Sequence, residues 1–109
     1  INASGFKVWP TEVEALMYKH PAIQEACVVA SPHPRRGETV KAFVVLRADY
    51  KGKVSEADII AWCKANMAAY KCPEIVEFAD ELPKSPTGKL MWRQLQEQER
   101  ARAAAATAS

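Results

Sequence analysis

The chain has 109 residues, 49% of them hydrophobic and 26% charged, with 15 Lys+Arg against 13 Asp+Glu for a formal net charge of +2. That length buries one core and is too short for two. The near-balance of charge argues against a nucleic-acid or membrane-surface binder, and no apolar run approaches the roughly 20 residues of a membrane span.

The opening, Ile1-Asn2-Ala3-Ser4-Gly5, has neither an initiator Met nor the basic-then-apolar pattern of a signal peptide. It reads as a piece cut from something longer. Gly5 divides two short stretches, Ile1-Asn2-Ala3 and Phe6-Lys7-Val8, which suggests a tight β turn. Pro10-Thr11-Glu12-Val13-Glu14 starts a helix, with Thr11 as the cap and Glu14 reaching back to complete a capping box. Val13, Leu16 and Met17 form its apolar stripe, and His20-Pro21 stops it.

Two β-rich segments follow, residues 23–30 and 39–46, the second with Val40, Ala42, Val44 and Leu46 on one face. Ser31-Pro32-His33-Pro34-Arg35-Arg36-Gly37 between them is too proline-rich for regular structure and reads as a loop. So short a connection makes the pair antiparallel. Ser55-Glu56-Ala57-Asp58 opens a second helix whose buried side is Ile59, Ile60, Cys63 and Met67. Tyr70-Lys71-Cys72-Pro73 closes it.

A third short strand is expected over 75–79 and a loop over 80–88. A last helix begins at Lys89 with Met91, Trp92 and Leu95 facing inward. Residues 99–109 are of low complexity and are expected to fray, leaving residues 1–98 as the domain. The pattern is a small α+β domain: an antiparallel sheet of about three strands plus an N-terminal hairpin, packed with two to three helices.

Cys27, Cys63 and Cys72 are odd in number and lack a CxxC spacing, which disfavours a disulfide framework or a zinc site. Thiols buried in a reducing cytoplasm are the expectation, with no metal bound by this segment. His20 and His33 each precede a proline and read as loop residues. Trp9 and Trp62 read as packing residues.

The segment that carries chemistry is Leu82-Pro83-Lys84-Ser85-Pro86-Thr87-Gly88-Lys89-Leu90. Two prolines stiffen it, Gly88 permits a backbone conformation closed to other residues, and Lys89 follows at once. It is not a Walker loop: Pro83 stands where the first glycine belongs, and Leu90 follows the lysine. Read by itself, it is first of all a stiff exposed loop with an incidental lysine, and Lys84 is a solvated charge.

Three collinear motifs change that reading. They are Ile1-Asn2-Ala3-Ser4-Gly5-Phe6-Lys7-Val8-Trp9-Pro10-Thr11-Glu12-Val13-Glu14; His20-Pro21 followed by a Val-Val strand and Arg36-Gly37-Glu38; and Tyr70-Lys71-Cys72-Pro73 leading to the Lys89 loop. Together, over residues 1–96, they resemble the C-terminal domain of the adenylate-forming enzymes. That family comprises acyl-CoA synthetases, adenylation domains of peptide synthetases and firefly luciferase. Peptide-synthetase domains usually read Asn-Gly-Lys-Val-Asp-Arg, whereas Thr87-Gly88-Lys89-Leu90-Met91-Trp92-Arg93 is more similar to an acyl-CoA synthetase.

The resemblance implies a two-step ligase acting on a carboxylic acid, fatty or aryl, with ATP and then CoA. A large N-terminal domain, absent from this chain, would hold most of the nucleotide, the acid and Mg2+. In the first step Lys89, positioned by Gly88, would bridge carboxylate and triphosphate. In the second, Ser4, Gly5 and Phe6 would line the pantetheine channel, and Lys7, Arg36 and Lys64 would hold CoA phosphates. The resemblance further implies a cytoplasmic enzyme with a lysine acetyltransferase as a partner at Lys89. Two alternatives stay open: the C-terminal subdomain of a peptide-synthetase-type adenylation domain, and a free-standing binding or regulatory module of the same fold.

Overall fold

The computed structural model describes residues 2–3, 6–33, 37–68 and 71–108; for residues 2, 3, 6, 33, 37 and 103–108 it describes the backbone alone. The order is β1 (Asn2–Ala3), β2 (Phe6–Lys7), α1 (Pro10–Met17), β3 (Ile23–His33), β4 (Gly37–Leu46), a 3-10 turn (Ala48–Tyr50), α2 (Glu56–Asn66), β5 (Ile75–Phe78) and α3 (Trp92–Ala108).

Strand β4 is the axis of the molecule. On one side it pairs antiparallel with β3, from Ile23↔Leu46 to His33↔Gly37. On the other it meets β1 through Ala3↔Gly37 and β5 through Lys41↔Ile75 to Val44↔Phe78. β1 and β2 form their own antiparallel pair. Because β4 has neighbours on both sides and layers on both faces, its residues from Thr39 to Leu46 are all buried.

Alternation then sorts the apolar residues into two clusters, one on each face of the sheet, where the length alone predicts a single core. Ala26, Val28, Val40, Ala42, Val44 and Leu46 face α1 and α2 and join Val13, Met17, Ile59 and Cys63. Cys27, Val29, Phe43 and Val45 point the other way, to Leu82 and to Leu95 of α3. Thus the sheet has helices on both faces, and the segment leading to Lys89 lies on the α3 face.

The α+β class is the one read from the sequence, with two corrections to the sheet. First, β5 runs parallel to β4. The connection from β4 carries α2, and a crossover of that length returns the chain in its original direction. Second, the strands extend into the expected loop: Ser31, Pro32 and His33 belong to β3, with Pro32 opposite Glu38. β3 is an outer strand of the sheet, where a missing N–H is tolerated.

In the segment 99–109 the backbone is helical as far as Ala108, and Glu99 is only 5% exposed. Glu99 lies one turn beyond Leu95 on the same face, where Lys41 of β4 meets it. The start of α3 differs too. It begins at Trp92, so Met91 and Trp92 are exposed and Leu95 alone of the expected trio is buried.

Helix α1 starts at Pro10, whose missing N–H and fixed φ suit a first helical position. Trp9, in extended conformation, is the N-cap and makes no side-chain cap bond, and at 65% exposed it is not a packing residue. The expected capping box of Thr11 and Glu14 is therefore not formed. Glu14 instead accepts a hydrogen bond at 2.7 Å from the Val28 N–H of β3. A capping box does form at α2, where Ser55 accepts from the Asp58 N–H and Asp58 accepts from the Ser55 N–H.

Side chains occupy the outer edge of β3. Tyr18 Oη accepts from the Ala26 N–H at 3.1 Å, Glu14 serves Val28, and the Gln96 amide both accepts from the Ala30 N–H and donates to its carbonyl. On the opposite flank, Glu56 accepts from the Phe78 N–H of β5. All three cysteines are free and buried, and burial pushes the Cys27 thiol up to about 12 and that of Cys63 up to about 11. Neither is a nucleophile near neutral pH.

Candidate functional site

The Lys89 loop is a small hairpin closed on itself. Ser85 to Gly88 has the composition of a type I turn, with serine first, proline second and glycine fourth. The Gly88 N–H donates to the Ser85 carbonyl at 2.8 Å. Gly88 then takes φ +87°, a conformation side chains disfavour, and the space around it is open, so glycine is required by the backbone and not by crowding.

Beyond the turn, the Ser85 N–H donates to the Lys89 carbonyl at 2.8 Å, and the Lys89 N–H donates to Ser85 Oγ at 3.1 Å. Ser85 Oγ also lies 2.9 Å from Thr87 Oγ1. A bridge between Lys84 and Leu90 and a Met91 N–H bond to the Pro83 carbonyl at 2.8 Å close the neck.

The hairpin is fastened to the body at three points. Leu82 is buried in the α3-side core, Leu90 packs against that core, and Lys84 forms an ion pair with Glu25 of β3. Lys84 is therefore an anchor, not the solvated charge expected of it. The outcome is a rigid arm that presents Lys89 to solvent. Its side chain is exposed and, among the described residues, meets no carboxylate.

The other candidates fall elsewhere. Ser4, Gly5 and Arg36 lie outside the described residues. Phe6 and Lys7 form β2, and Lys7 is exposed. Their hairpin adjoins the β3–β4 connection, because Ala3 pairs with Gly37. Lys64, exposed on the last turn of α2, is close enough to Cys72 to oppose the rise that burial imposes on that thiol. The Cys72 segment enters β5 beside Val40, whose carbonyl accepts from the Glu74 N–H at 2.9 Å.

Two groups result. The arm that carries Lys89 is tied through Lys84 to Glu25, near the start of β3, whereas Phe6 and Lys7 adjoin its far end, where His33 pairs with Gly37. At about 3.3 Å per residue those ends of the strand are roughly 26 Å apart.

Sequence reasoning missed Ser85, Lys84 and Glu25 as partners of the loop. For Ser85 the signal was present, since a small hydroxyl residue ahead of Pro-Thr-Gly is a natural turn former. Nothing local points to Glu25. It also missed Lys41, which is 3% exposed and lies 2.7 Å from Glu99 Oε1 and 3.2 Å from Glu77 Oε1. Ser31 Oγ donates to Glu99 Oε2 at 2.7 Å, and Arg102 joins Glu77 at 2.7 Å. This network clamps α3 to the sheet. Among the described residues no cluster of side chains could hold a metal ion, and no helix is long and apolar enough to cross a membrane.

Comparison with known proteins gives a consistent answer. The family described as the AMP-binding enzyme C-terminal domain matches residues 12–89. A long-chain-fatty-acid–CoA ligase of Bacillus subtilis is 46% identical over 99 residues, which is 91% of this chain and 17% of that protein. The mitochondrial acyl-coenzyme A synthetase ACSM4 of Mus musculus is 47% identical over 106 residues, 94% of this chain and 18% of its own. Among solved structures, a Mycobacterium tuberculosis fatty acyl CoA synthetase superposes with a TM-score of 0.83 at 35% identity, over 94% of this chain and 20% of the other. The chain thus spans less than a fifth of the curated relatives it matches.

Proposed function

The chain belongs to the AMP-binding enzyme C-terminal domain family, and on that premise we propose that it is the mobile C-terminal domain of an AMP-forming acyl-CoA synthetase. The remainder of the enzyme, a large N-terminal domain, would hold ATP with its Mg2+ and the carboxylic acid. Residues 1–98, with the clamped first turns of α3, would be the moving body.

In the first half-reaction a carboxylate oxygen attacks the α-phosphorus of ATP. The new C(O)O–P bond forms as the bond to pyrophosphate breaks, giving acyl-adenylate. Two anions must approach each other, and negative charge grows on the α-phosphate oxygens. Lys89 supplies a compact cation on a long stem, able to contact both, from an arm that is already ordered. In the second half-reaction the CoA sulfur attacks the acyl carbon, its proton passes to solvent, and AMP leaves. Ser4, Gly5 and Phe6 would border the pantetheine arm, with Lys7, Arg36 and Lys64 toward the CoA phosphates.

The observation that carries this reading is the separation of the two groups along β3. With an adenylation lysine toward one end and a thiol-channel hairpin toward the other, the domain would turn between steps. The names of the relatives favour a fatty acid as substrate, and aryl acids are the nearest other class. Free, buried thiols suit a reducing compartment such as the cytoplasm. Exposed Lys89 would also be open to a lysine acetyltransferase, and acetylation would remove the charge on which adenylation depends.

The test uses the full-length enzyme and whichever of octanoate, palmitate and benzoate the wild type activates fastest. Lys89→Ala should abolish acid-dependent ATP–pyrophosphate exchange and leave thioester formation from preformed acyl-adenylate nearly intact. Gly5→Trp should do the reverse. Equal loss of both half-reactions in both variants would overturn the division of labour.

A further inference from the structure

We propose that Ser85 is a positioning residue for Lys89, and that its hydroxyl, together with the left-handed turn at Gly88, sets the direction in which the ammonium is delivered. The proposal rests on the reading of Lys89 as the adenylation lysine. Both backbone polar groups of Lys89 end on this one residue: the carbonyl accepts the Ser85 N–H at 2.8 Å and the N–H donates to Ser85 Oγ at 3.1 Å. The hydroxyl is itself held, with Thr87 Oγ1 at 2.9 Å.

Backbone bonds alone do not complete the hairpin. At Gly88 the chain enters its left-handed turn, and the next N–H, that of Lys89, reaches the Ser85 side chain. Removing Oγ leaves that N–H to water and frees one of the two restraints that orient the Lys89 Cα–Cβ bond. Leu82, Leu90 and the Lys84–Glu25 ion pair remain to hold the neck. The fold is therefore kept and only the aim of the arm is loosened.

Such a defect has its own signature. A small misplacement of a reacting group can cost on the order of 100-fold in rate while leaving substrate affinity alone. The loss should fall on the turnover of the step that uses Lys89. A threonine keeps the hydroxyl and should restore it.

The experiment compares wild type, Ser85→Ala, Ser85→Thr and Lys89→Ala in the full-length enzyme, with the fastest of octanoate, palmitate and benzoate as the acid. Pyrophosphate exchange, thioester formation from preformed adenylate and thermal unfolding are followed in each. For Ser85→Ala we expect exchange kcat to fall roughly 10- to 100-fold with KM for ATP nearly unchanged. Its thioester step and melting temperature should match wild type, and Ser85→Thr should recover most of the exchange rate. Wild-type exchange in Ser85→Ala beside an inactive Lys89→Ala would overturn the proposal and leave the reading of Lys89 standing. So would equal slowing of both half-reactions, or a threonine variant no better than alanine. Wild-type exchange in Lys89→Ala would instead overturn the reading of Lys89 and this proposal with it.

Discussion

Beneath helix α3, Lys41 lies buried between the carboxylates of Glu99 and Glu77, its ammonium 4.8 Å from the centre of the Phe43 ring. Just before the same helix, Lys89 stands in solvent on an arm whose every anchor lies in its neck and backbone. The two lysines show what a fold must do with a charge in each place. A buried ammonium has to be saturated by partners, because desolvation costs more than one contact returns. An ammonium meant for a ligand has to be kept away from local carboxylates, and here Lys84 takes Glu25 while Lys89 meets none among the described residues.

The sharpest way to break the comparison is to remove the buried member. Lys41→Met takes the ammonium from buried Glu99, which keeps only the Ser31 hydroxyl and Arg102 at 3.7 Å, and should cost about 3–5 kcal/mol, read by urea unfolding with tryptophan fluorescence. Adding Glu99→Leu should recover a large part of that loss, since an apolar pair can replace a buried ionic one. A loss below about 1 kcal/mol would put Lys41 in the class of surface ion pairs.

Acid should dissect the same network with a smaller effect. Burial alone would raise the Glu77 carboxyl, but hydrogen bonds from Arg102 and Lys41 hold it below its ordinary 4.5. A depressed carboxyl contributes stability that is present above pH 4.5 and is lost as pH falls through the lower folded value. His20, whose Nδ1 accepts the Ala22 N–H at 3.0 Å, is lowered from 6.5 by burial, so its contribution is present above that pH and fades as pH falls. Stability measured against pH should thus decline in two stages. Lys41→Met should shrink the later, more acidic stage and spare the earlier one.

The smallest effect is expected at the exposed member. Lys89→Met should change unfolding free energy by no more than about 0.5 kcal/mol, even if, as proposed, Lys89→Ala abolishes adenylation in the full enzyme. A large loss of stability there would mean that Lys89 is structural.

The contrast also explains what could be read from sequence. The arm is local: the backbone and hydroxyl bonds that shape it run between residues 83 and 91, so its Pro-Thr-Gly-Lys order carried the information. The clamp is not local. Lys41 stands as a lone charge in an apolar strand, but Glu99 is 58 residues away in a segment whose alanine-rich end masked its packed face. Glu14 was misassigned for the same reason, since its partner Val28 is 14 residues on, across the gap between helix and strand. The parallel placement of β5 depended on where α2 delivered the chain, which periodicity does not encode.

The side chains along β3 have a consequence for how copies of the chain meet. An outer strand with bare amides and carbonyls can recruit any extended segment that drifts past, including the same strand of another copy. Tyr18, Glu14 and Gln96 already occupy the outward groups of Ala26, Val28 and Ala30. Over residues 26–30 the molecule's longest strand is therefore already capped against cross-β pairing. That protection comes from the flanking helices and from Tyr18 just beyond α1.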